Sequence, residues 1–194
     1  MAFLVFALSF CSISYQILLA YVIVDVSAHS HVFVYSLTTG VYFLSLGLGA
    51  YIYNRFYSKR GLDLLINIES FLILLIPIFV FGIYILTTLF SITIGSWLTE
   101  AWGGFYYKNI LLVLCSQIFV LIIGILSGFE LPIFLKASSK TGFIIFLNYT
   151  AGLFSGLLIP ALLIPKLDFF GAFLFISYCN LITLIYLIYF NCKT

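Results

Sequence analysis

The sequence predicts an all-α fold: a polytopic helical membrane bundle in which residues 1–194 form a single transmembrane domain of about six helices, with both termini cytoplasmic. Three observations predict it. Hydrophobic residues fill 64% of the 194 positions, and mean hydropathy is +1.28. Charged residues make up 7%, whereas a soluble domain carries about a quarter. The apolar residues are also grouped into runs of about 20, the length that crosses a hydrocarbon layer as a helix. With 20% aromatic content and so little charge the chain is not disordered. Four cysteines do not make a secreted disulfide scaffold.

Polar punctuation divides the chain in order. The first span runs from Ala2 to Val24 and ends at Asp25. The second runs from Val32 to Tyr53 and ends at Asn54-Arg55. The third runs from Leu64 to Leu89 with Pro77 inside. The fourth, Asn109 to Leu135, is long enough to tilt or break and has Pro132 near its end. The fifth runs from Gly142 to Ile164 with Pro160 inside, and the sixth from Phe169 to Phe190. A weaker patch, Ile83 to Leu98, leaves a seventh segment open. The Trp97, Trp102, Tyr106 and Tyr107 that accompany it read instead as an interfacial aromatic loop.

The distribution of Lys and Arg sets the orientation. Arg55, Lys59, Arg60, Lys136, Lys140 and Lys193 share one side of a six-span bundle, six of the eight basic residues. Lys108 and Lys166 lie opposite. The positive-inside rule puts the first group in the cytoplasm, and the expected location is a bacterial inner membrane. MAFLVFALSF has no basic start and runs directly into a full-length span, so it reads as a retained helix rather than a cleaved signal.

Lipid tails are as apolar as leucine, so helices associate through small residues and a few polar contacts. Ser36, Gly40 and Gly47 share a face of the second span, with Gly49 nearby. Gly124 and Gly128 form one GxxxG step, and Gly152 and Gly156 another, which Asn148 extends by a turn. These are the expected packing seams. Pro160 cannot donate to the carbonyl of Gly156 and predicts a kink. Cys11, Cys115 and Cys179 lie within spans, where a buried thiol behaves as a small hydrophobe.

Ionisable groups at membrane depth cost a few kcal/mol and mark function. Glu69 and Glu130 both fall about one to two turns from the cytoplasmic side, level with Asn148. Gln16 and Gln117 form a second polar tier, Ser9, Ser12 and Gln16 share one face of the first helix, and Asn180 lies in the middle of the sixth. Two readings of the acids stand open. They are interfacial and paired with Arg55, Lys59 or Lys136, or they share a cytoplasm-facing acidic pocket for a proton or a small cation. In such a pocket each carboxylate disfavours ionisation of the other. His29 and His31 beside Asp25 lack a third strong ligand, so no metal and no other cofactor is expected. HExxH, GxSxG, GxGxxG and Walker A patterns are absent, which argues against an enzyme. A net charge of +2 gives no reason to expect a nucleic-acid partner.

Several short motifs occur in order along most of the chain. They are Ser14-Tyr15-Gln16, Gly47-Leu48-Gly49-Ala50, Glu69, Gly128-Phe129-Glu130-Leu131-Pro132, Asn148-Tyr149-Thr150-Ala151-Gly152 and Leu163-Ile164-Pro165-Lys166-Leu167. Together they resemble the membrane domain that precedes the catalytic domain in bacterial spermidine synthase-like proteins, relatives of the polyamine aminopropyltransferases. Gln16 and Asn148 stand where that family tends to have Glu and Asp, exchanges that remove charge but keep hydrogen bonding. The Gly-rich nucleotide loop of the family's catalytic domain has no counterpart. The resemblance therefore implies a non-enzymatic membrane subunit that anchors a partner protein or forms a homo-oligomer. The alternative it implies is a transporter or binding module for a polyamine-like cation.

Overall fold

The computed structural model describes residues 1–27, 31–57, 61–97 and 104–191. Seven α-helices follow one another: α1 (Ala2–Ser27), α2 (His31–Ile52), α3 (Leu62–Trp97), α4 (Gly104–Ser127), α5 (Glu130–Ala137), α6 (Thr141–Leu158) and α7 (Ile164–Asn191). π-helical turns, Tyr53–Tyr57 and Ile159–Leu163, extend α2 and join α6 to α7. Five helical runs are long and apolar enough to cross a membrane: Ala2–Ser27, Val32–Tyr57, Leu62–Ile92, Asn109–Ala137 and Thr141–Asn191.

These helices form because the spans are unbroken by charge and must satisfy every backbone group internally. The patch from Ile83 onward forms no separate segment; it extends α3 as far as Trp97. The aromatic loop expected after it is helical up to Trp97 and again from Gly104, and residues 98–103 lie outside the described residues. The fourth span does break. Gly128 and Phe129 turn the chain between α4 and α5, so that Glu130 opens a new helix.

The expected kink at Pro160 takes the form of a π turn. The N–H of Ile164 bonds back to Ile159, five residues earlier. This wider spacing is how a helix absorbs a residue without an N–H. A sharper interruption follows at Asp168, with φ 57° and ψ −179°. That backbone region is close to glycine-only and costs about 1–3 kcal/mol for other residues. Asp168→Gly should therefore raise stability by about 1 kcal/mol net of glycine's unfolded-state entropy, or about 2–4 °C in Tm. Thermal unfolding in detergent measures it.

The helices run alternately. Ser12 meets Tyr42, Gln16 meets Thr39 and Tyr21 meets Tyr35, so α1 and α2 are antiparallel. Along α3 and α7, Asp63 meets Asn191, Glu69 meets Asn180 and Tyr84 stacks on Phe170, again antiparallel. Phe3 against Tyr186 and Tyr21 against Phe169 fix α7 against α1. In contrast, α2 and α4 are parallel, with Gln117 on Thr38, Gly124 on Ser45 and Gly128 on Gly49.

At the centre is α1. It is buried along most of its length and packs on every other described α-helix. Leu4, Val5, Leu8, Tyr15, Leu18, Leu19 and Ile23 are fully buried. The periphery is the opposite: Phe71, Leu74, Ile78, Phe81 and Ile85 on α3 are all more than half exposed, as a lipid-facing side requires.

The glycine seams differ from expectation. At Gly49, Gly124 and Gly128 an added Cβ would strike backbone or Ser45, and at Gly152 it would lie 2.8 Å from Ile13. At Gly40, Gly47 and Gly156 it would meet nothing within 4 Å. The α2–α4 seam therefore uses Thr38, Ser45 and Gly49 rather than Ser36, Gly40 and Gly47, which lie on an exposed side of α2.

A buried carboxyl pair beside a cavity

Glu69 is carried by α3, one and a half to two turns from its start, and is 2% exposed. Glu130 opens α5 and is 5% exposed. The helix it opens packs on α1, α3 and α6. The two carboxyls are near enough for the charge on Glu69 to act on Glu130, and Glu69 Oε1 has no hydrogen-bond partner. Burial on this scale excludes the interfacial reading. Arg55 and Lys136, two of the three proposed cationic partners, contact other groups. Arg55 donates to the Tyr51 hydroxyl at 2.6 Å and lies near the rings of Tyr51 and Phe56. Lys136 Nζ sits 4.6 Å from the centre of the Tyr53 ring, and Lys59 lies outside the described residues.

Each acid is held by polar neighbours. Asn180 Nδ2 on α7 donates to Glu69 Oε2 at 3.1 Å. Asn180 thus belongs to the acidic tier, a contact its position in the sequence gave no sign of. Tyr42, fully buried on α2, donates to the carbonyl of Ser12 at 2.9 Å and contacts its hydroxyl at 2.9 Å. The polar face of α1 therefore faces Tyr42 and Glu130.

Glu130 also lines a cavity of about 610 Å³ between α1, α2, α5 and α6. Its polar lining comprises Ser9, Ser12, Gln16, Asn54, Ser127, Glu130, Asn148 and Tyr149. Phe43, Leu46, Leu131, Leu135 and Ile13 supply apolar walls. Asn54, exposed at the end of α2, marks one end of the cavity; Gln16 marks the other. The volume falls in the range of small-molecule pockets, in which a few polar groups among apolar walls fix orientation. Ser127 Oγ is buried in this lining with no hydrogen-bond partner, an unsatisfied group that a ligand can complete.

The sequence-derived candidates divide accordingly. Glu130, Gln16 and Asn148 line the cavity. Glu69 stands behind Glu130, outside the lining. Gln117 is set apart; it bridges α4 to α2 through Thr38 at 3.3 Å and bonds the Val113 carbonyl. It does not line the cavity, and its Oε1 has no hydrogen-bond partner. Gln16 likewise reaches Thr39 at 3.3 Å but keeps its place in the cavity wall. Ser127 and Asn54 were missed, because a lone Ser between Leu and Gly, and an Asn at a span boundary, carry no distinguishing pattern. His29 lies outside the described residues, and His31 begins α2. Among the described residues no group of three metal-ligating side chains occurs. No protein-family model, curated protein or solved structure matches the chain.

Proposed function

We propose that this chain is a membrane-embedded binding site, and by extension a carrier, for a small organic cation of the aliphatic diamine or polyamine class. The observation that supports it is Glu130: a buried acid with no cationic partner among the described residues, on the wall of a cavity large enough for a small molecule. An uncompensated buried acid is expensive to keep, and a bound ammonium group removes that cost. The apolar walls suit a methylene chain. Gln16, Asn148 and Asn54 offer carbonyl oxygens to a second ammonium. The motif resemblance to spermidine synthase-like membrane domains points to the same ligand class.

In this reading the bundle crosses the membrane six times, with both termini cytoplasmic, in a bacterial inner membrane. The run Thr141–Asn191 makes two of the crossings, divided at Asp168. In support, Phe169 and Phe170 contact Tyr21 and Tyr84 at one end of the bundle, while Asn191 contacts Asp63 at the other. Arg55, Lys136 and Lys140 then share the inner side, onto which the cavity opens beside Asn54. Reporters placed after Thr194 and within Ser138-Ser139 should both read cytoplasmic; a periplasmic signal from either contradicts the topology.

Equilibrium dialysis of labelled putrescine against the full chain in lipid nanodiscs tests the ligand class. One saturable site per chain is expected, displaced by spermidine but not by the uncharged butanediol of equal length. Displacement by the diol, or no saturable binding, would refute the proposal. A second reading, a non-enzymatic subunit that anchors a partner protein or a second copy, draws on the exposed Ser36, Gly40 and Gly47 of α2; a methyl added at either glycine would meet nothing within 4 Å among the described residues. Copurification in mild detergent supports that reading, and a monodisperse monomer opposes it.

A further inference from the structure

Resting on the cation-site reading above, we infer that the cavity takes its diamine on a hydrocarbon tail: the charged head lies inside, and the tail leaves sideways between α2 and α6 into the bilayer. The cavity has an opening on its side as well as at its Asn54 end. Phe43 and Tyr149 both line it, yet they are 61% and 73% exposed. A lining residue that is mostly exposed stands at a rim. Phe43 lies near the middle of the run Val32–Tyr57, and Tyr149 at the middle of α6. This rim is therefore well inside the spanning part of the bundle. Both α2 and α6 pack on α1, but they share no comparable interface with each other. The gap between them is floored by α1, through Ser9, Ser12 and Gln16.

Helical spacing shows which residues edge the gap. On α2, Phe43, Ala50 and Asn54 fall in one stripe along the cavity, and Gly47 lies at the border of that stripe. On α6, Tyr149 and Gly152 line the cavity, and Gly156 continues their stripe by one turn. An added Cβ at Gly47 or Gly156 would meet nothing within 4 Å among the described residues, so both edges have room. The floor has the opposite character. Ser9, Ser12 and Gln16 are buried, and the buried Ser127 hydroxyl in the same lining has no hydrogen-bond partner. Gln16 spends its amide N–H on Thr39 at 3.3 Å, which leaves its carbonyl oxygen for an N–H of the head.

This contrast selects the occupant. An ordinary acyl chain in the gap cannot hydrogen-bond, so it would leave the floor and Ser127 unsatisfied. A second copy of the chain would do little better. The side chains turned outward beside the gap are Leu44 and Leu48 on α2 and Leu153 and Leu157 on α6, all exposed and all apolar. A molecule with an ammonium head and a methylene tail matches both surfaces. The tail gains little by moving from lipid to a gap of similar polarity. The head therefore sets the affinity, and the tail sets the route, which is through the membrane rather than from water alone.

N-dodecylputrescine, set beside putrescine in equilibrium binding to the full chain in nanodiscs, tests the route. Wild type should bind both, each displacing the other from one site. Gly47→Trp places an indole at the edge of the gap, in space that is open. It should weaken N-dodecylputrescine by at least about tenfold and leave putrescine within about twofold. Because each ligand is compared with itself in the same bilayer, its partition into lipid cancels. Gly156→Trp, on the opposite edge, should do the same, and decides the matter if Gly47→Trp does not fold. Ile78→Trp, on the exposed side of α3, should change neither ligand. Exclusion of N-dodecylputrescine from a wild type that binds putrescine would overturn the inference and leave the cation site standing, as would a closed dimer across the gap. Equal effects of the edge tryptophans on both ligands, or none on either, would also overturn it. Absence of putrescine binding in the wild type would sink the site reading, and the route with it.

Discussion

Glu130→Gln should weaken putrescine binding by at least about 30-fold, equivalent to roughly 2 kcal/mol. The size follows from what is removed. Truncating or neutralising one member of a buried charged pair costs about 2–5 kcal/mol, because the partner charge is left in a low-dielectric site. Here the partner is the ligand's ammonium group, beside a residue only 5% exposed. The same variant should not harm the fold. Gln keeps the length and shape of Glu and removes an acid from the surroundings of Glu69, so Tm should stay level or rise. Replacing a buried charged group with a neutral one of similar volume is often neutral or stabilising. A combined measurement of binding and Tm separates loss of the site from loss of the protein. Weak binding with a collapsed Tm would mean a structural role; unchanged binding would mean that the cavity's acid does not contact the ligand.

Gly49→Ala and Gly128→Ala should each destabilise the bundle by about 2–3 kcal/mol, at the upper end of the usual range for overpacking. At Gly49 a new methyl would collide with the Ile125 carbonyl and lie 2.9 Å from the Cα of Gly128. At Gly128 it would collide with the Leu46 carbonyl and lie 3.0 Å from the Cα of Gly49. The obstructing atoms are backbone, so no rotamer change relieves the contact, and α2 must separate from α4. Because Gly128 also sets the turn that delivers Glu130, cavity binding should weaken along with stability. Gly40→Ala and Gly47→Ala are the matched comparison. Their methyls meet nothing within 4 Å, and each should raise stability by up to about 1 kcal/mol through helix propensity. Equal effects at Gly47 and Gly49 would show that the seam is not where the helices place it.

The contrast between Gly47 and Gly49 shows how far the sequence alone could be read. Span positions are legible because unbroken apolar runs have one low-cost state in lipid: a helix with every backbone group bonded internally. The common depth of Glu69 and Glu130 follows from counting residues inward from charged span ends, since depth along a helix scales with residue number. Which face of a helix turns toward which neighbour is not fixed by counting. Ser36, Gly40 and Gly47 make a credible seam in isolation. The one used, Thr38-Ser45-Gly49, becomes evident only beside Gln117-Gly124-Gly128, which has the same spacing on a parallel helix distant in the chain. Gln117 illustrates the same limit: its height in the bundle is readable, but its rotation toward Thr38 and away from the cavity is not. Asn180 reads only as a polar residue in the middle of the sixth span, because nothing local ties α7 to Glu69. The break at Gly128-Phe129 was legible as an overlong span ending in a proline. Its consequence, an acid buried at the first position of a new helix, is a property of three dimensions. The separation of Asp168 from both flanking spans marked a boundary, but not the strained backbone that forms it.

The most direct test of the central claim is protection of the cavity by its ligand. In a chain with the native cysteines replaced, Ser127→Cys puts a thiol in place of the buried, unpartnered hydroxyl of the cavity wall. A small cationic thiol reagent should modify it, and saturating putrescine should slow that reaction at least about tenfold, while butanediol leaves it unchanged. Modification at the same rate with and without putrescine, in a protein shown to bind putrescine, would place the ligand elsewhere and contradict the account.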